Sequence, residues 1–232
     1  MHPYQAKCII KKANPESPLE IDQLDWVWPE ADSGGWDIPK HEWEESHKET
    51  WFKYVKKYDI AVQAGGCCGM YPRLLGKMFQ VVYTFEPSPL NFYCLVANCQ
   101  EDNIVKMQCA LGRKAETVAL AIRSDNVGMN KINKSIGLGY YPVITLDSLN
   151  LPGCDLLALD VEEDEFNILY GAKQTILKYN PVVILENGHY DDIKEMMKEL
   201  DYMYAATSKL DTIYIQKEVY KKGDWNGTPV SG

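Results

Sequence analysis

The chain has 232 residues, 46% of them hydrophobic and 25% charged, an ordinary globular balance that excludes global disorder. At this length one domain with an elaborated terminus buries a full core without disulfides or a structural metal. Twenty-four basic against 33 acidic side chains leave a net charge of −9, which argues against a protein that holds nucleic acid mainly through its phosphates.

The start, Met1-His2-Pro3-Tyr4, lacks the charged-then-apolar build of a signal peptide, and no apolar run has transmembrane length, so the expectation is a cytoplasmic protein off the membrane. The seven cysteines are an odd, scattered set without a CxxC pair, which reads as reduced thiols and not as a disulfide framework or zinc site. His2, His41 and His47 show no metal-ligand spacing. Residues 1–58 hold five of the six tryptophans, and 41–58 reads as a helix with Trp43, Trp51, Tyr54 and Val55 roughly on one side. Such a leader is either a cap that buries its indoles against the main domain or a lid over a substrate pocket, since Trp offers a flat amphipathic surface for both. It could as easily bury itself against a second copy of the chain, making a homo-oligomer.

From residue 59 short apolar runs alternate with helical patterns. Strands are expected at 59–64, 81–86, 104–109, 155–160 and 181–186. The helices between them have apolar faces: Leu74, Leu75, Met78 and Phe79, then Phe92, Leu95, Val96 and Cys99, the second opened by Ser88 as N-cap and Pro89 at the first helical position. Phe166, Leu169, Ala172, Ile176 and Leu177 form a third face, and Ile193, Met196, Met197 and Leu200 a fourth. This alternation means βαβ units, a parallel sheet and helices on both faces. Residues 110–150 hold no helix; 117–122 and 142–146 read as extra strands or an excursion off the sheet. Segments 202–206 and 212–216 suit a hairpin that ends the sheet with an antiparallel strand, and 217–232 reads as a frayed tail. The expected organisation is a Trp-rich extension over 1–58, a main domain over 59–216 and a tail.

The main chemical signal is Gln63-Ala64-Gly65-Gly66-Cys67-Cys68-Gly69, directly after the first of these strands and opening a helix. Glycine there allows a tight turn and close approach of a ligand to the backbone, and the helix start adds free N–H donors. The spacing is not GxGxxG and no Gly-Lys-Ser/Thr follows, so a phosphate cradle is disfavoured. The next strand ends in Phe85-Glu86-Pro87, a carboxylate 21 residues after Gly65, where doubly wound folds accept hydrogen bonds from ribose hydroxyls. Together they indicate an adenosine-containing cofactor at the carboxyl edge of the sheet. Asp160-Val161-Glu162-Glu163-Asp164-Glu165 can be a solvated helix start, but Asp160 and Glu162 also stand where ligands bind in open α/β sheets. Glu186-Asn187-Gly188-His189 follows the fifth strand, with His189 a catalyst or an ordinary histidine.

These residues resemble the FkbM-type methyltransferases, a branch of the class I S-adenosylmethionine-dependent enzymes, over roughly 59–216. The glycine loop stands where that family has Asp-x-Gly-Ala-Asn-x-Gly. Phe85-Glu86-Pro87-Ser88-Pro89, Ala110-Leu111-Gly112, Thr145-Leu146-Asp147-Ser148-Leu149 and Asp160-Val161-Glu162 follow its further motifs in order. The run 63–72 and the Trp-rich leader are most similar to virus-encoded members. The resemblance implies a Rossmann-like, seven-stranded, mostly parallel sheet with an antiparallel last strand. It also implies that Gln63, Gly65, Gly66, Cys67 and Gly69 hold the methionine part of the cofactor, and that Glu86, with Pro87 and Ser88, holds the ribose. By the same resemblance Cys109 and Ala110 flank the adenine, and Asp160 and Glu162 lie beside the transferred methyl.

The implied activity is methyl transfer to oxygen of a sugar or other small hydroxylated acceptor, with no metal, and with Glu162, then His189, then Asp160 as the base. Three departures, Gln63 for an acid, Cys67 for Asn and Glu163 for Gly, motivate an alternative: a catalytically degenerate binding protein of the same fold. A nicotinamide-dependent oxidoreductase is opposed by the loop spacing and the terminal hairpin.

Overall fold

A computed structural model describes residues 7–17, 23–33, 48–133, 138–186, 188 and 190–221. In chain order, β1 (Cys8–Lys11) and β2 (Trp26–Pro29) form a small antiparallel sheet, and the helical turn α1 (Lys48–Trp51) continues as a 3-10 turn, Phe52–Tyr54. Then come β3 (Ile60–Ala64), α2 (Met70–Gly76), β4 (Val81–Phe85), α3 (Pro89–Asn98) and β5 (Ile104–Met107). An excursion follows, with β6 (Ala110–Leu111), β7 (Glu116–Ala121), β8 (Lys131–Asn133) and β9 (Leu138–Ile144). The chain returns through β10 (Leu156–Leu159), α4 (Glu165–Gly171), α5 (Lys173–Tyr179), β11 (Val182–Glu186), α6 (Asp191–Glu199), β12 (Tyr202–Ser208), β13 (Asp211–Gln216) and α7 (Lys217–Lys221).

The main sheet has seven strands in the order β12-β13-β11-β10-β3-β4-β5. β3, β4, β5, β10 and β11 are parallel, and β13 runs antiparallel between β11 and β12. Every residue of β3 and β10 is buried, as strands covered by helices on both faces require. One face packs Trp26, Trp28 and Trp51 with α2 and α3; the other packs α4, α5 and α6. The excursion is its own four-stranded sheet, β6-β9-β7-β8, which leans over the carboxyl edge.

Several local expectations are corrected. The helix expected over 41–58 ends in a 3-10 turn at Tyr54, because Val55 is extended to lead into β3; residues 41–47, with Trp43, lie outside the described residues, as does Trp36. Val96 is exposed, because the buried face of α3 is Asn91, Cys94, Leu95 and Asn98. Asn98 earns that place by accepting from Val27 N at 2.7 Å and donating to Val27 O and Cys68 O at 2.8 and 2.7 Å, which clamps β2 onto the glycine loop. Met78 lies past the end of α2 and is partly exposed. Leu177 is exposed because the third expected helix breaks at Ala172 into α4 and α5, which re-aims its second half. Residues 217–221 are helical, not frayed. No helix of the described residues is long and apolar enough to cross a membrane.

Candidate active site

β3 ends at the point where the sheet order reverses, with β4 on one side and β10 on the other, the place where open α/β sheets bind ligands. Gly65 N and Gly66 N both donate to Phe85 O, at 3.1 and 2.9 Å, so the loop folds back against the end of β4. Gly65 has φ +85°, and a Cβ there would sit 1.7 Å from the Asp160 carbonyl oxygen. A Cβ on Gly66 would meet Thr84 Oγ1 at 2.6 Å. The two glycines thus let β3, β4 and β10 converge beneath a cleft.

Glu86 forms the cleft's most constrained wall. It is 5% exposed, and its Oε2 accepts from Cys67 N at 2.9 Å and its Oε1 from Ser88 N at 2.7 Å. Burial pushes its carboxyl up to about 7, against the pull of those two N–H bonds. Each oxygen keeps a lone pair for a further donor. Ser88 starts α3, but its side chain makes no capping bond; it contributes its N–H to Glu86 instead.

Opposite stand Asp160, immediately after β10, and Glu162. Asp160 is held well above the usual carboxylate range by burial, then by Glu186, Asp211 and Glu162. Glu162 is also raised, by burial first and then by Glu186 and Glu163, with Lys131 opposing. Glu162 and Glu163 occupy successive left-handed conformations, φ 52° and 76°. The glycine that Glu163 replaces would suit such a turn at no steric cost, whereas Glu strains it by about 1 kcal/mol. Its side chain, 72% exposed, pairs with Lys131 at 3.1 Å, so the bulk and charge that this departure adds next to the site are in solvent.

The cleft encloses about 930 Å³, counting its open mouth. Among the expected residues, Gly65, Gly66, Cys67, Glu86, Pro87, Ala110, Asp160 and Glu162 line it. Gly69, Ser88 and Cys109 stand behind the lining: Gly69 is the left-handed N-cap of α2 and Cys109 is a buried core thiol. His189 lies outside the described residues.

Gln63 faces a neighbouring recess and is fully engaged. Its Nε2 donates to Ala64 O and Gly65 O at 3.1 and 2.9 Å, and its Oε1 accepts from Thr84 Oγ1 at 2.8 Å. It is a brace for the loop, not a free cofactor ligand. Gln63→Glu, which keeps the shape but sets a carboxylate oxygen against two carbonyls, is expected to destabilise the fold by roughly 2 kcal/mol in urea denaturation. Wild-type stability in that variant would remove the brace.

Sequence reasoning missed three contributors. Asn91, 2% exposed, donates to Val127 O at 3.0 Å and lies 3.7 Å from Cys67 Sγ, while its buried Oδ1, without a partner, belongs to a residue lining the cleft. An amide absent at position 67 is thereby present from α3. Trp28 lines the cleft from the leader; its Nε1 donates to Asp32 Oδ2 at 2.7 Å, and Asp32 Oδ1 accepts from Val127 N at 3.0 Å, tying leader to excursion. Tyr71 borders the cleft from the first turn of α2. Asn91 had a signal, a polar residue on an otherwise buried helical face; the long-range ties of Trp28 had none.

Residues 59–206 match the sequence profile of the methyltransferase FkbM domain. The chain belongs to the FkbM methyltransferase family. Its fold is that of the methyltransferase FkbM from Methylobacillus flagellatus KT, with 17% identity and a TM-score of 0.53 over 75% of this chain and 49% of that one. This FkbM chain therefore spans about half the length of that protein. A ribosomal protein L11 methylase from Lactobacillus delbrueckii subsp. bulgaricus aligns at 10% identity and a TM-score of 0.47, over 79% of this chain and 80% of that one. No curated protein matches the chain.

Proposed function

We propose that this FkbM-family chain is an S-adenosylmethionine-dependent methyltransferase acting on a hydroxyl of a sugar or other small hydroxylated molecule. The observation that carries the cofactor half is the cleft at the strand-order reversal, floored by two glycines without room for a Cβ and walled by Glu86. The cofactor fits that donor set: Glu86 retains lone pairs for ribose hydroxyls, Asn91 Oδ1 is a buried acceptor without a donor, and Ala110 and Pro87 offer apolar walls. When bound it supplies an electrophilic methyl on a sulfonium. The hydroxyl class of the acceptor comes from the family resemblance.

The chain's own part is to orient the acceptor and take its proton. Glu162 is the base we favour: it lines the cleft, is half-buried, and burial raises its carboxyl above the ordinary range, which makes it more basic than an ordinary surface carboxylate. Asp160, raised well above the usual carboxylate range by burial and then by Glu186, Asp211 and Glu162, comes after it. The net charge of −9 supports a small acceptor over nucleic acid, and we place the activity in the cytoplasm.

Calorimetric titration with S-adenosylmethionine and S-adenosylhomocysteine tests the reading. Micromolar binding of both is expected, and Glu162→Gln is expected to retain it while losing turnover once an acceptor is found. No binding of either would favour the degenerate binding-protein alternative, to which the engaged Gln63 amide lends weight.

A further inference from the structure

The leader sets a half-buried thiol against a buried one. Cys8 opens β1, Cys94 faces inward from α3, and their Sγ atoms lie 3.5 Å apart although the residues are 86 positions apart in the chain. Packing explains the meeting. Cys94 and Asn98 are four residues apart on α3 and share its buried face. Asn98 clamps Val27 of β2, and β2 carries β1 in the register Cys8 to Pro29 and Ile9 to Trp28. The clamp therefore holds Cys8 at Cys94 with no covalent link between them.

Other thiols are placed differently. Cys99 donates to Gly69 O at 3.3 Å and Cys154 to Leu156 O at 3.5 Å, while Cys109 belongs to the core on the opposite face of the sheet. Cys68 is within hydrogen-bonding reach of Cys94 but, like Cys94, is fully buried. Of these three neighbours Cys8 is the one that solvent reaches.

The chemistry of the pair is divided accordingly. Cys94 is lowered from the ordinary thiol range by the hydrogen bond of Cys68 and, against burial, by that of Cys8. Burial, then Cys94, pushes Cys8 up to about 12. Cys8 thus resists mild oxidants, and the pair stays reduced at rest; thiolate character lies with the sulfur behind it. Closing the 3.5 Å gap to the ~2.05 Å of a disulfide takes a shift of about 1.5 Å, the scale of a side-chain rotation.

We propose that Cys8 and Cys94 are a modification site, joined by a peroxide in a reversible disulfide that staples the leader to α3. First the peroxide O–O bond breaks, Cys8 Sγ takes one oxygen as a sulfenic acid, and a water leaves. Cys94 Sγ then attacks Cys8 Sγ: the S–S bond forms, the S–O bond breaks, and a second water leaves with the Cys94 proton. The two thiols lose two electrons and two protons, and the peroxide takes up both. A dithiol reductant reverses the bond. Because Trp28 lies on β2 and lines the cleft, the staple also fixes that wall. None of this depends on the methyltransferase reading.

The test treats the full chain with hydrogen peroxide, alkylates the remaining thiols and maps the peptides by mass spectrometry. A Cys8–Cys94 cross-link that dithiothreitol removes is expected. So is a rise of about 5 °C or more in melting midpoint over the reduced chain, since the bond closes a long loop. Cys8→Ala, at a half-buried position, is expected to fold, to form no cross-link at Cys94 and to show no such rise. Cys94→Ala is expected to leave Cys8 as a sulfenic or higher acid. A wild-type chain whose Cys8 is oxidised without a cross-link overturns the proposal, as does a Cys68–Cys94 or intermolecular bond in its place. A cross-link at Cys8 and Cys94 that leaves the melting midpoint unchanged overturns the staple, as does an equal rise in Cys8→Ala.

Discussion

Gly65→Ala is expected to destabilise the chain by about 3 kcal/mol or more, because it combines a left-handed backbone penalty with overpacking in a rigid site. The Cβ would fall 1.7 Å from the Asp160 carbonyl oxygen and 2.8 Å from its carbonyl carbon, both backbone atoms that no side-chain rotation can move. Relief requires β3 and β10 to part at their carboxyl ends, yet Asp160 N is bonded to Ala64 O at 3.1 Å and both strands are buried throughout. Gly128→Ala is the control. Its Cβ meets only Asn126 Oδ1 at 3.4 Å and no positive φ is involved, so a change within about 0.5 kcal/mol is expected. Urea denaturation of both variants decides the matter, and a Gly65→Ala loss below about 1 kcal/mol would mean that the loop is far more pliant than this packing allows. Any surviving folded fraction should bind cofactor weakly, since the displaced atoms belong to Asp160 itself.

The same contact shows what could be read from the sequence and what could not. The five parallel strands were legible because each is a short apolar run bounded by turn residues, and burial on both faces demands that composition. The loop after β3 and Glu86 after β4 were legible because the chemistry of a strand–helix turn is local. The excursion was legible as a lack of helix between 110 and 150 with strand-like runs at 117–122 and 142–146; that its 3-10 turn at Val127–Met129 would pin Asn91 depends on contacts 36 residues apart. The face of α3 was misread where polar residues do core work: Asn98 is buried as a clamp for three backbone groups, and apolar periodicity pushed Val96 inward in its place. Glu163 counted as a departure that could disable the site because a one-letter change carries no direction; in the fold its side chain reaches out to Lys131. The Asp211–Glu186 opposition needed a strand register, which a hairpin estimate good to a residue or two cannot supply.

Glu86 carries the other large effect, and its sign follows from its environment. With the folded carboxyl near 7 against an ordinary 4.5, the folded chain holds a proton that the unfolded chain has lost across that interval. The stability this contributes is fully present below about 4.5 and is lost as the pH rises through 7, on the order of 3 kcal/mol. Glu165, also pushed up to about 7 by burial, adds in the same direction. The cofactor-free chain should therefore weaken from pH 5 to pH 8, and Glu86→Gln should flatten part of that slope.

Binding runs the other way. Ribose hydroxyls donate best to an ionised carboxylate, and the two backbone donors from Cys67 and Ser88 already hold Glu86 in place to receive them. Affinity for S-adenosylhomocysteine is then expected to fall by up to about tenfold per pH unit below 7 as Glu86 protonates. Glu86→Gln is expected to weaken binding roughly 10- to 100-fold at pH 8, where the carboxylate is mostly ionised, and to lose most of the pH dependence. Asp160 and Glu162 titrate in both proteins, so the difference between wild type and variant isolates Glu86. Calorimetry at pH 6, 7 and 8 reads both quantities, and a variant whose affinity tracks pH as the wild type does would take Glu86 out of cofactor recognition and leave it as a clamp on the loop.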